Sequence, residues 1–93
     1  MAISTTEIEK RIRERLSADV VEVADESALH VGHPGARGGG GHYRARIVTD
    51  AFCGRTPIER HRLVYQTISD WMGSEIHAIS LTVLTPEEAR GGG

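Results

Sequence analysis

Apolar residues fall along this chain in two rhythms, and each change of rhythm marks an element. From Ile3 to Leu16 they recur every fourth residue, at Ile8, Ile12 and Leu16, with charges between. That is the narrow stripe of a helix packed on one side only. Ser4 and Glu7 have capping-box spacing at its start, and Ile3 is placed to staple against Ile8. Val20 to Ala24 is short and β-branched, and reads as a strand ended by Asp25-Glu26-Ser27. From Tyr43 to Thr49 the spacing is two, with Tyr43, Ala45 and Ile47 on one face and Arg44, Arg46 and Val48 on the other.

The strongest helix start lies at Thr56. A threonine cap is followed by proline at the first helical position and by Glu59 three residues after the cap. At 100° per residue, Ile58, His61, Val64, Tyr65, Ile68, Trp71 and Met72 share about 140° of arc, so this stripe is expected to face the core. His61 lies near its middle and is expected to be mostly buried and hydrogen-bonded. Gly73 is placed as the residue that ends the helix. Ile76 to Thr85 then alternates as a third strand, with His77, Ile79, Leu81 and Val83 on its apolar face. Pro86 stops it, Glu87-Glu88-Ala89 suits a further helical turn, and residues 91–93 read as a disordered tail.

The order helix, strand, strand, helix, strand predicts an α+β fold. It is a small two-layer domain with a three-stranded mixed sheet and helices on one face. The first two strands suit an antiparallel pair, and the third, reached through a helix, is expected to run parallel to one of them.

The chain has 93 residues, 39% hydrophobic and 26% charged, which bounds it to a single domain over residues 1–90 with one modest core. It has no run of ~18 apolar residues that would cross a membrane, and its N-terminus lacks a signal-peptide pattern. One cysteine excludes an internal disulfide, and together these features point to the cytoplasm. The net charge of −2 argues against a protein that lives on phosphate contacts.

Candidate chemistry is concentrated in two places. The connection from Glu26 to Gly41 holds six glycines and a proline, and it carries or borders His30, His33 and His42. Connections between paired strands are usually ~2–5 residues long, so its length marks it as unusual. His30-x-x-His33 is a zinc-like pair without cysteines to complete a structural site, while His77, at a strand end, can be reached from outside. The second place is the start of the central helix, where Arg55, Arg60 and Arg62 could form a nucleic-acid patch, joined by Arg44 and Arg46. Gly54-Arg55-Thr56-Pro57 stands where a KH domain would place Gly-x-x-Gly, and lacks the second glycine. Cys53 has no histidine in its local motif, the carboxylates are scattered, and the glycine run lacks a P-loop Lys-Ser/Thr. No enzyme is expected.

Phe52-x-Gly54-Arg55, Arg60-His61-Arg62-Leu63-Val64-Tyr65, His77-Ala78-Ile79 and Thr85-Pro86-Glu87 follow one another in order. With Asp25-Glu26-Ser27, Gly32-His33 and Gly41-His42-Tyr43 upstream, they resemble the BolA family across roughly residues 7–88. The resemblance implies a class II KH-like α-β-β-α-α-β fold. It also implies an adaptor that binds a monothiol glutaredoxin and shares a 2Fe-2S cluster with it and with glutathione, in cluster assembly, trafficking or iron sensing. It maps one cluster ligand onto His77 and the second onto His30, with His33 and His42 as alternatives. Imidazole in place of thiolate raises such a cluster's potential. No cluster is expected in the isolated chain, for which a homodimer is considered. BolA proteins are also described as transcription regulators, which implies DNA as an alternative partner through Arg55, Arg60 and Arg62.

Overall fold

A computed structural model describes residues 3–26 and 41–91. The elements are α1 (Thr5–Leu16), β1 (Val20–Asp25), β2 (Gly41–Val48), a single 3₁₀ turn (Asp50–Phe52), α2 (Pro57–Thr67), β3 (Ile76–Leu84) and α3 (Pro86–Arg90). The Ser4 hydroxyl caps α1 by accepting from Glu7 N at 3.2 Å. It also donates to the Glu7 carboxylate at 3.4 Å. Ile8 and Ile12 are fully buried, Leu16 is half-buried, and Ile3 joins the same core. Each buried isoleucine is worth about 1.5–3 kcal/mol of transfer free energy.

The sheet has the order β1-β2-β3, with β1 antiparallel and β3 parallel to the central β2. Tyr43, Ala45 and Ile47 point from β2 into the core, as their spacing predicts. The outer edge of β1 is partly covered by α1: the Glu9 carboxylate accepts from Val23 N (2.9 Å), and Arg13 donates to the Val21 carbonyl (3.4 Å). On the other edge, Tyr65 and Arg60 of α2 donate to the Ile79 and Val83 carbonyls. Both edges thus lose bare backbone groups to which a stray strand could add.

Helix α2 begins as its sequence requires. Thr56 accepts from Glu59 N, the Glu59 carboxylate accepts from Thr56 N, and Pro57 fills the first turn. Its core face, however, is turned about 60° from the expected arc. Val64, Thr67 and Ile68 are buried, Ile58 is 65% exposed, and His61 is only half-buried. The cause is that polar side chains with internal partners sit inside the core-facing arc. The Thr67 hydroxyl donates to the Val64 carbonyl (2.7 Å), and the Arg60 guanidinium lies inward over Phe52. Counting apolar residues alone misplaces the centre.

The regular helix also stops at Thr67, short of the expected Met72. Beyond it the chain keeps turning through i→i−3 bonds, Ile68 N to Tyr65 O, Trp71 N to Ile68 O and Met72 N to Ser69 O. Gly73, at φ 85°, reverses the chain as its position suggested. Arg11 of α1 pins this turn by stacking 3.5 Å from the Trp71 ring centroid and pairing with Asp70. Helix α3 follows β3 at once, and Thr85 and Glu88 form a complete capping box.

Candidate metal-ligating end of the sheet

One irregularity decides where the functional side chains go. Gly41 pairs with Ile76, but the next residue, His42, pairs with Ala78. His77 is therefore an extra residue on β3, the mark of a β-bulge, a device that re-aims side chains. Its effect shows in the burial: Ile76 and Ile79 both face the core although they are three residues apart, while His77 and Ala78 are both exposed. Strict alternation placed His77 on the apolar face, opposite to the side of β2 that bears His42, Arg44 and Arg46. The bulge corrects this. It brings the rings of His42 and His77 together, with centroids 4.9 Å apart and planes tilted by 35°.

The two sides of this pair are held differently. His42 is half-buried in the central strand, and its carbonyl accepts from Glu26 N at 2.7 Å. Gly41 N donates to the Glu75 carbonyl at 2.9 Å, beside the start of β3. Both ends of the long connection are thus anchored at the end of the sheet where the imidazoles meet. His30 and His33, and the glycine-rich run with them, lie outside the described residues. Among the described residues, no cluster of three or more histidine, cysteine or acidic side chains could enclose an ion.

Gly41 shapes this end through its lack of a side chain. A Cβ there would come within 2.5–2.7 Å of the Tyr43 phenol. That phenol has nowhere to go, because Tyr43 is buried and its hydroxyl donates to the Ile3 carbonyl. Burial, the main cause, and the nearby Asp25 charge raise the Tyr43 pKa, against the lowering effect of the Ile3 bond.

His61 stands apart, on α2. Its Nδ1–H donates to the Pro57 carbonyl at 2.7 Å, so its hydrogen bond is as expected although its burial is less. The three candidate arginines divide. Arg60 is committed internally, to Glu88 (2.7 and 3.3 Å), to the Val83 carbonyl (3.2 Å) and to the Arg55 carbonyl (3.0 Å). Arg55 and Arg62 are exposed, with Arg55 Nε donating to the Ala51 carbonyl. Cys53 is exposed at the end of the 3₁₀ turn. Among the described residues no helix is long and apolar enough to cross a membrane.

A helix packed on a mixed β1-β2-β3 sheet, with a 3₁₀ turn leading into the second helix, defines the class as a class II KH-like α+β domain. The description "BolA-like protein" matches residues 12–88. The chain is 41% identical over 87 residues to SufE-like protein 1 of Arabidopsis thaliana, covering 84% of this chain and 24% of that protein. It is 33% identical over 81 residues to the DNA-binding transcriptional regulator BolA of Vibrio cholerae, covering 87% of this chain and 74% of the other. The solved BolA domain of SufE1 from Arabidopsis thaliana superposes with a TM-score of 0.78 at 36% identity, over 94% of this chain and 99% of that one. The chain belongs to the BolA family. It spans about a quarter of the length of the plant relative.

Proposed function

We propose that this chain is a non-enzymatic cytoplasmic adaptor that binds a monothiol glutaredoxin and shares a 2Fe-2S cluster with it and with glutathione. The observation that carries the reading is the exposed His77 at a β-bulge, beside His42 and beside both anchored ends of the histidine-bearing connection. The donor set fits the group: imidazole is a good iron ligand, and a half-complete site suits a cluster whose other ligands arrive on a partner. His77 supplies one ligand, and His30 the second, with His33 and His42 as alternatives. The bound cluster would supply a labile, transferable iron–sulfur unit; the chain's own part is to present imidazole at a fixed place.

The test is co-purification with a monothiol glutaredoxin and glutathione, followed by visible circular dichroism of the reconstituted pair. His77→Ala should abolish the distinctive cluster spectrum while the far-ultraviolet spectrum of the free chain stays unchanged. His30→Ala should leave a bound but more labile cluster, and His33→Ala should do less. A wild-type spectrum from His77→Ala would sink the reading.

The second reading is a DNA-binding regulator, favoured by the similarity to the DNA-binding transcriptional regulator BolA of Vibrio cholerae and by the exposed Arg55 and Arg62. Its mark would be salt-sensitive binding to duplex DNA. Each lost phosphate contact should lower the log–log salt slope by roughly 1, whatever the sequence. With a net charge of −2, the expected affinity at physiological salt is weak.

A further inference from the structure

Helix α2 carries both a knob and a hole on the side it turns to solvent. The knob is Ile58, which at 65% exposure is the one large hydrophobic side chain left exposed among the described residues. The hole is a shallow depression of about 280 Å³ lined by Arg62, Tyr65, Gln66 and Ser69. Its walls are almost wholly apolar, because the half-buried Tyr65 and the long side chains of Arg62 and Gln66 present their carbon frames. At 100° per residue, Ile58, Arg62, Tyr65 and Gln66 share about 100° of arc. At 1.5 Å per residue, the hole lies about 11 Å along the axis from the knob. Ser69 follows in the turn just past Thr67. A single exposed isoleucine is ordinary, but one that shares a helix face with an apolar hole is not.

We infer that two copies of this chain associate through α2, antiparallel about a two-fold axis near Arg62, with each Ile58 seated in the depression of the other copy. A two-fold interface brings residue i of one copy to residue j of its partner and j to i, so a knob and a hole on one helix face are self-complementary. Antiparallel helices crossing at Arg62 place position 58 opposite position 66, with axes about 8–10 Å apart. Neither group has to move first, since Ile58 is already outside and the depression already open. The two Arg62 side chains meet near the axis, and their like charges oppose the contact. Association is therefore weak at low salt and strengthens as salt screens that repulsion. Binding of duplex DNA through Arg62 has the opposite salt dependence.

The inference needs neither glutaredoxin, cluster nor DNA, so its experiment is separate from those above. Sedimentation equilibrium is run on the full chain from about 10 μM to about 1 mM. The parent carries Cys53→Ser, so that no disulfide between exposed thiols can join two copies. It should pass from monomer towards dimer across that range. Ile58→Glu should weaken association at least about tenfold, because each dimer loses two buried isoleucines. The fold survives this change, since Ile58 is exposed in the first turn of α2, where a carboxylate suits the helix dipole. Ser69→Arg, which puts a charge into the depression, should weaken association likewise. Lys10→Glu, on the exposed side of α1, should change it by less than about twofold. An equimolar mixture of Ile58→Glu and Ser69→Arg should associate more tightly than either variant alone. One contact of the mixed dimer pairs the new carboxylate with the new guanidinium, and the other keeps the original isoleucine and hole. The inference is overturned if the parent stays monomeric at about 1 mM, if Ile58→Glu associates as tightly as the parent, if the mixture does no better than its components, or if added salt weakens association.

Discussion

Arg60 of α2 grips Glu88 of α3 through both ends of its guanidinium, at 2.7 and 3.3 Å, while the same carboxylate caps α3 by accepting from Thr85 N. One side chain therefore ties the last helix, the Val83 carbonyl on the β3 edge and the Phe52 ring into one unit.

Loss of this anchor should be felt as stability. The Arg60 side chain is only 13% exposed, so its contacts are shielded better than those of an ordinary surface pair. Arg60→Ala is expected to cost about 1–2 kcal/mol in urea unfolding, and Arg62→Ala to stay within about 0.5 kcal/mol. Equal effects would show that the Arg60 network contributes nothing beyond a surface charge.

The same contact bears on the DNA reading. Charge reversal at Arg60 would disturb α3 as well as any phosphate contact, so Arg55→Glu and Arg62→Glu are the interpretable variants. Each is expected to weaken duplex binding without moving the unfolding midpoint. A midpoint shift as large as that of Arg60→Ala would show that these arginines too are structural.

Acid should loosen α3. The hydrogen bond from Arg60, aided by the Thr85 N–H, holds the Glu88 carboxyl below its ordinary value of 4.5. A carboxyl lowered in the folded state stabilises the fold above its ordinary value, and that contribution fades as pH falls through the lowered one. Glu59 shifts the same way, chiefly through the Thr56 N–H. The unfolding midpoint should therefore decline as pH falls below the ordinary value of 4.5, and Glu88→Gln should flatten the decline. An unchanged slope in Glu88→Gln would place the acid sensitivity elsewhere.

Gly41 and Tyr43 should behave as one unit. Gly41→Ala forces a Cβ into the phenol and is expected to destabilise the fold by about 1–3 kcal/mol. Tyr43→Leu gives up the hydroxyl bond to Ile3 but makes room, so the double variant should cost less than the two changes summed. Strict additivity in the four-variant cycle would mean that the clash relaxes some other way.

The elements were legible because each carries its own local signal. Thr56-Pro57 with Glu59, and Thr85-Pro86 with Glu88, announce helix starts by chemistry confined to four residues, and both capping boxes form. Ile8 and Ile12, or Tyr43 and Ile47, declare a buried face by period. What failed to show depends on partners distant in sequence. The face of α2 turned because Arg60 finds Glu88 and Val83, more than twenty residues away, and no local window contains them. The union of His42 with His77 was hidden for the same reason. A bulge is a relation between two strands, and an unbroken alternation from His77 to Val83 disguises it. A hint stood next to it, in the glycine at position 41, where the Tyr43 phenol leaves no space for a side chain.

Glu26 and Gly41, pinned to His42 and Glu75, make the intervening connection a cassette whose two plugs are independent of its contents. Closing a flexible loop grows only logarithmically costly, about 0.6 kcal/mol for each doubling of length. Residues between those plugs can therefore be lengthened, shortened or rewritten at little expense to the rest of the domain. Change confined to that cassette leaves the pairing of β1, β2 and β3 beneath it as it is.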